Sequence, residues 1–305
     1  MNNIQTQSFK FRYWYKKMKL MDFHSHHRRC GHAMGEIEDY VKVAIVKNLQ
    51  EIGISDHFPL RVIIEDPDPQ LDELIKNTSM EVKEFPHYIE EIKNLREKYK
   101  NKIKIRISTE INFATPGRAL TRQKKVLKPF MDDFDYLLGA IHDIKWHESP
   151  IIILDPRQGS EALKTYGTEK INLEYINKVE KLVETDFFDV IAHFDNQRVL
   201  FRPNTPNYSQ KAWQKLLALL DKIKNKGMAI EINTSGTLKG IGSQFPSDKI
   251  VKEIIQRDIP IMLGSDAHRP KNIGFMFEKF IEKARKWGLS HLCIYEKREQ
   301  TLVKI

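Results

Sequence analysis

Three short clusters in this chain combine imidazoles with carboxylates at metal-ligand spacing: His24-Ser25-His26 followed by Cys30 and His32, then Ser55-Asp56-His57, then Asp266-Ala267-His268 inside GSDAH. Glu110, His142 and His193 stand between them as single candidates. In an extended segment, alternate residues share a face, and the turn after an H-x-H can bring the second imidazole to the same centre. Imidazole mixed with carboxylate suits zinc, manganese or iron, whereas calcium and magnesium prefer all-oxygen shells. One zinc takes about four ligands. The nine candidates His24, His26, His32, His57, Glu110, His142, His193, Asp266 and His268 therefore imply two or three divalent transition-metal ions. Paired cations commonly share a carboxylate and lower the pKa of water, so that hydroxide is available near neutral pH. Glu110, the one glutamate of the set, is the expected bridge. Cys30 reads as a packing thiol rather than a ligand.

The elements that must carry these groups can be read from apolar runs. Seven such runs each end in a polar residue: Leu20 to His24, Glu51 to His57, Ile103 to Glu110, Tyr136 to His142, Val190 to His193, Ala229 to Asn233, and Ile261 to Asp266. Asp22 precedes the first histidine by two. Between the first two runs, Ile37, Tyr40, Val41, Ala44, Ile45 and Asn48 follow i, i+3, i+4 spacing, which is a helical stripe. Further helices are expected over about Met80 to Lys100, Asn172 to Thr185, Gln210 to Lys226, Asp248 to Gln256 and Phe275 to Trp287. Alternating strands and helices build a parallel sheet buried on both faces, which explains runs such as YLLGAI and IPIML. The expected fold is α/β, and the candidate metal site falls at the C-terminal ends of its strands, where in closed α/β barrels the loops converge on one mouth.

Composition agrees with a globular chain: 41% of residues are apolar, 30% are charged, and no apolar run is long enough to span a bilayer. The first nineteen residues do not have the pattern of a secretory signal, and two distant cysteines argue against a disulfide framework, so the expected location is the cytoplasm. Of the net charge of +9, five units fall in residues 1–20 on Lys10, Arg12, Lys16, Lys17 and Lys19, and the rest of the chain is nearly balanced. Residues 1–19 are expected to form a basic, aromatic extension to one domain over 20–305. The interleaved FKFRYWYKKMK could stack on bases, but pinning its aromatics onto the domain is the preferred reading, so neither nucleic acid nor membrane is an expected partner.

With these residues identified, the chain resembles the polymerase and histidinol phosphatase (PHP) superfamily, in its histidinol-phosphatase branch. DFHSHHRRCGHAMGEIEDYVKVAIVKNLQEIGISDH looks like its first two motifs. ISTEINF, GAIHDI, VIAHFD, EINTSG and GSDAH follow in the family's order, so the likeness covers about residues 20 to 275. The resemblance implies a distorted seven-stranded barrel with a trinuclear site that hydrolyses a small phosphomonoester, L-histidinol phosphate, to histidinol and phosphate in histidine biosynthesis. It also implies a partition: His24, His26, Glu110 and Asp266 on one ion, Glu110, His142 and His193 on a second, and His32, His57 and His268 on a third. Glu110, Asp266 and His268 then carry the catalytic roles, and either a protonated Asp266 or a metal-bound water supplies the leaving group's proton. Arg198 is the first choice for a phosphate-binding arginine, because its fork matches phosphate; Arg157, Arg118 and Arg269 are further candidates. Asn233 either binds substrate or forms a turn. Another phosphomonoester, a phosphodiester or nucleic-acid substrate, and a non-enzymatic metal-binding role are the alternatives. His27, Arg28 and Arg29 depart from the family pattern, which predicts a more basic mouth, and Trp146 to Asn172 does not align with it.

Overall fold

The computed structural model describes residues 20–64, 69–114, 117–146, 149–153, 156–202 and 207–305. The basic extension over 1–19 lies outside them. Strands β1 (Met21–Asp22), β2 (Glu51–Ile54) and β3 (Lys104–Ile107) form one parallel sheet. Strands β4 (Glu110–Asn112), β5 (Leu138–Ala140), β8 (Val190–Ile191), β9 (Ala229–Asn233) and β10 (Ile261–Gly264) form a second, also parallel. The two sheets meet at both edges. At one seam the Phe23 N–H donates to Leu263 O at 3.0 Å and the His26 N–H to Ala267 O at 2.9 Å. At the other, the Phe58 N–H donates to Glu110 O at 2.8 Å and the Glu110 N–H to Ser55 O at 3.0 Å. With β3 and β4 counted as one broken run, seven strands make a distorted ring, as in a (β/α) barrel.

These strands are shorter than the apolar runs that encode them. The expected ligands lie just beyond strand ends rather than at them, because there the chain leaves the ladder to turn over the barrel mouth. Glu110 is the exception, since it begins β4. Helices α1 (Ile37–Val46), α3 (Phe85–Tyr99), α6 (Gln210–Lys226), α7 (Asp248–Gln256) and α8 (Phe277–Arg285) occupy the expected segments. Helix α5 (Pro156–Val183) is longer than expected and breaks its helical angles at Gly167, with φ at +73°. Its first half, with the hairpin of β6 (Asp143–Trp146) and β7 (Ser149–Ile152), accounts for the stretch that does not align. Helices α2 (Pro69–Lys76) and α4 (Arg118–Leu127) and the C-terminal hairpin β11 (His291–Glu296) with β12 (Glu299–Lys304) have no counterpart in the sequence reading.

One buried apolar cluster runs from Met21 to Tyr295. Tyr88 and Tyr136 are fully buried in it, and their hydroxyls serve backbone that the ring leaves unpaired. The Tyr88 hydroxyl accepts the Asp56 N–H at 3.1 Å and lies 2.7 Å from Ser108 O, while Tyr136 donates to Phe23 O. Gly53 is needed here, because a Cβ at that position would come within 1.9 Å of the Tyr136 hydroxyl.

Candidate metal centre

All nine residues singled out as ligands converge on the mouth of the ring. The carboxylate of Glu110 is buried at its centre, and its two oxygens face different groups. Oε1 lies 2.6 Å from His193 Nε2 and 3.3 Å from His142 Nε2. Oε2 lies 2.9 Å from His57 Nδ1, 3.4 Å from His24 Nε2 and 3.5 Å from His26 Nε2. Asp266 Oδ1 stands 3.1 Å from His26 Nε2 and 3.9 Å from His24 Nε2. Ligand atoms lie within 4.8 Å of one another in three sets drawn from these nine: His24, His26 and Asp266; Glu110, His142 and His193; and His26, His57 and His268. His32 joins the last through its Nε2, 2.9 Å from His268 Nε2. His24, His26, His193, Glu110 and Asp266 are buried, whereas His32, His57, His142 and His268 reach solvent.

Four of the histidines are fixed in the orientation a metal requires. An acceptor-only oxygen facing Nδ1 holds the ring proton there and leaves Nε2 with a free lone pair. For His24 that oxygen is Glu231 Oε1 at 2.7 Å, and for His26 it is Asp56 Oδ1 at 3.2 Å. For His268 it is the carbonyl of Asp266 at 2.9 Å, and for His32 the carbonyls of Cys30 and Asn77 at 3.1 Å. Nε2 of His24, Nε2 of His26 and Oε2 of Glu110 are buried without a hydrogen-bond partner. Buried polar atoms are normally satisfied. Lone pairs that converge without donors fit cations, as does the close approach of two Nε2 atoms, from His32 and His268.

Charge states agree for Glu110, Asp266, His57 and His268. Burial pushes the Glu110 carboxyl up, but the imidazoles of His57, His142 and His24 outweigh it and hold it well below the usual range. Burial likewise opposes ionisation of Asp266, and the Lys239 ammonium and His24 overcome it. Burial and the neighbouring His26 push His57 down to about 4 and His268 well below the usual imidazole range. Ionised carboxylates and neutral imidazoles are the ligand forms. His24 and His26 are raised instead: the acids around them, Glu231 and Glu110 for His24 and Asp266 and Asp56 for His26, outweigh burial, and His26 reaches about 9.

Local backbone turns these side chains inward. His193 and Asp266, each two residues past a strand, take positive φ of 32° and 52°, a conformation that costs energy outside glycine and collects at functional sites. Glu231, inside β9 and fully buried, was not among the expected residues. Its Oε1 faces His24, its Oε2 accepts the His193 N–H at 2.6 Å, and Asn233 Nδ2 donates to that same oxygen at 3.1 Å. A Cβ on Gly264 would come within 1.8 Å of Glu231 Oε1, so glycine there makes room for the acid. An acid in the middle of the apolar run AIEIN is the signal that could have found it, since buried charges are paired. Asp56 is a second such acid, with its Oδ2 2.7 Å from His27 Nδ1.

Other expected roles are redirected. Asp22 accepts backbone N–H groups from His24, Ser265 and Gly274 and stays out of the cluster. Asn233 donates from its amide to Glu231 and accepts the N–H and hydroxyl of Ser235, which is turn chemistry. Arg28 pairs with Glu36, and Arg29 with Glu84 and Glu91, so their charges are neutralised rather than added to the mouth. Cys30 is buried, its thiol pushed up by burial and by Asp56, and its Sγ donates to His27 O. Arg198 is buried, with Nη1 on Asp195 and Gln244 O and Nη2 on Ser243, while its Nε has no partner. Arg118 and Arg269 are exposed. The side chain of Arg157 lies outside the described residues.

The sequence profile of the PHP domain matches residues 22–235. A probable histidinol-phosphatase of Deinococcus radiodurans is 28% identical over 272 residues, covering 88% of this chain and 94% of that protein. The histidinol-phosphatase of Bacillus subtilis is 24% identical over 275 residues, covering 87% of this chain and all of that protein. Among solved structures, histidinol phosphate phosphatase from Lactococcus lactis, complexed with zinc, L-histidinol and phosphate, superposes with a TM-score of 0.69 at 23% identity, covering 93% of this chain and 99% of that one.

Proposed function

The chain belongs to the PHP domain family, and from that premise we propose that it is a metal-dependent phosphomonoesterase that hydrolyses L-histidinol phosphate to histidinol and phosphate. The observation that carries the hydrolase reading is the division of the Glu110 carboxylate between His142 and His193 on one side and His24, His26 and His57 on the other. The choice of substrate is supported by the names of the relatives and by the zinc, histidinol and phosphate in the Lactococcus enzyme.

In this reading Glu110 would be shared by two ions, with His24, His26 and Asp266 available to the first and His142 and His193 to the second, and His32, His57 and His268 would hold a third. Bound zinc, manganese or iron lowers the pKa of water and offsets charge on the phosphoryl oxygens. The chain's own part is to keep Glu110 and Asp266 ionised, to fix the imidazole tautomers through Glu231, Asp56 and the backbone carbonyls, and to surround the phosphoryl group with positive charge. Arg198, whose Nε has no hydrogen-bond partner among the described residues, would contribute to that charge. Two unpaired cysteines fit a reducing compartment, and no helix among the described residues is long and apolar enough to cross a membrane; the reading places the reaction in the cytoplasm.

The test is kinetic. Protein reconstituted separately with zinc, manganese and iron is assayed on histidinol phosphate, nitrophenyl phosphate, a nitrophenyl diester and single-stranded DNA. A specificity constant for histidinol phosphate well above that for nitrophenyl phosphate supports the assignment. Equal constants reduce it to a general phosphatase, and preference for the diester or DNA replaces it.

A further inference from the structure

Lys239 follows the 3-10 turn Thr234–Thr237 at the end of β9, and nothing in the sequence motifs marks it. Its backbone is anchored at both ends. The N–H donates to Ser235 O at 2.9 Å, and the carbonyl accepts from Arg202 Nη1 at 2.8 Å. Its side chain is half-buried, and the ammonium donates to Oδ2 of Asp266. That oxygen is the one turned away from His24 and His26, which face Oδ1.

A buried carboxylate beside a lysine is more often a structural pair, and two observations weigh against that alone here. First, the lysine side chain is 26% exposed while Asp266 is 4% exposed, so the cation stands on the solvent side of the carboxylate. Second, an ammonium has three donors, and the described contacts use one, which leaves two for a second anion.

We propose that Lys239 is a substrate-contacting residue whose ammonium bridges Asp266 and a phosphoryl oxygen of the bound ester. The inference rests on the phosphomonoesterase reading and adds to it a phosphate anchor outside the metal ligands. A lysine suits this place because it is a point charge on a flexible stem, able to keep one anion while taking a second. Hydrogen bonds between charged groups are the stronger class, and losing one in a desolvated mouth weakens binding by roughly ten- to a hundredfold.

The experiment compares metal-loaded wild type with Lys239→Gln and Lys239→Arg, reading metal content by elemental analysis, fold by circular dichroism, and affinity for inorganic phosphate by calorimetry and by product inhibition. The expected result is unchanged metal content and fold, phosphate affinity weaker by about ten- to a hundredfold in Lys239→Gln, and partial recovery in Lys239→Arg. If Lys239→Gln loses metal while the affinity of its remaining loaded fraction for phosphate is unchanged, Lys239 serves Asp266 alone and the proposal is overturned. Unchanged affinity with unchanged metal overturns it equally, while leaving phosphatase activity of the wild type intact. A wild type that neither binds phosphate nor cleaves any monoester overturns the functional reading, and this proposal with it.

Discussion

Glu231 Oε1 lies 2.7 Å from Nδ1 of His24, across 207 residues of chain, and both side chains are fully buried. The same carboxylate accepts the backbone N–H of His193 at 2.6 Å. One acid on β9 therefore sets the ring orientation of a ligand after β1 and the backbone position of a ligand after β8, and each of those ligands faces a different oxygen of Glu110.

Glu231→Gln keeps this shape but presents an amide where the imidazole needs an acceptor-only partner. Metal affinity is expected to fall by about ten- to a hundredfold, the usual cost of losing an outer carboxylate, with the fold retained. Competition against a chelator of known affinity measures it. Gly264→Ala, which pushes a Cβ toward Glu231, should lower affinity in the same direction. If both variants bind metal as tightly as wild type, the orienting role is wrong.

Glu110→Gln removes charge from the point where the two groups meet. Turnover of a monoester should drop by more than the roughly hundredfold typical of an outer partner, and metal content should fall by at least one ion per chain. Elemental analysis beside steady-state kinetics checks both; retention of full metal and near-normal turnover would exclude Glu110 as the bridge.

Metal binding should release protons near neutral pH. In the metal-free chain His24 and His26 are raised above their ordinary 6.5, His26 to about 9, so both carry protons that a cation displaces. Calorimetric titrations in buffers of different ionisation enthalpy give the number released. The sign for stability is opposite in the two forms. Groups whose pKa is raised on folding stabilise the metal-free chain fully below 6.5, and that contribution is lost as pH rises toward about 9. Ligand deprotonation strengthens the metal-bound chain over the same interval. Melting temperatures of the two forms should diverge with rising pH.

Arg198→Ala leaves Asp195 buried without its partner. Breaking a buried pair this way costs roughly 3 to 5 kcal/mol, so this variant should be destabilised as well as weakened for substrate. Burial already raises Asp195, and the loss should be smaller at acid pH, where that carboxyl takes a proton. Urea denaturation at acid and neutral pH tests this; equal stability to wild type would mean that the Arg198 contacts contribute nothing.

Six of the nine converging residues were legible because histidines and acids closing successive apolar runs carry a simple signal, the strand delivering and its last turn presenting, and His26, His32 and His268 because they follow at ligand spacing. Helices α6 and α7 were legible to the residue, since each has an uninterrupted apolar stripe and a serine just before it. Helices α2 and α4 were not, because short polar helices take their stability from packing rather than from pattern. The separation of roles also lay outside the sequence. Glu231 and Asp56 are acids in or next to apolar runs, and only the tertiary structure shows that they face imidazoles. Asn233 and Arg198 have side chains suited to substrate, and only the tertiary partners show how their donors are spent. Lys239 is one of many lysines in the sequence, and its distinction is a distance to Asp266. Residue type and period act along the chain and so could be read from it. Which oxygen of a carboxylate faces which ring depends on where distant strands meet, and the packing of the barrel decided that.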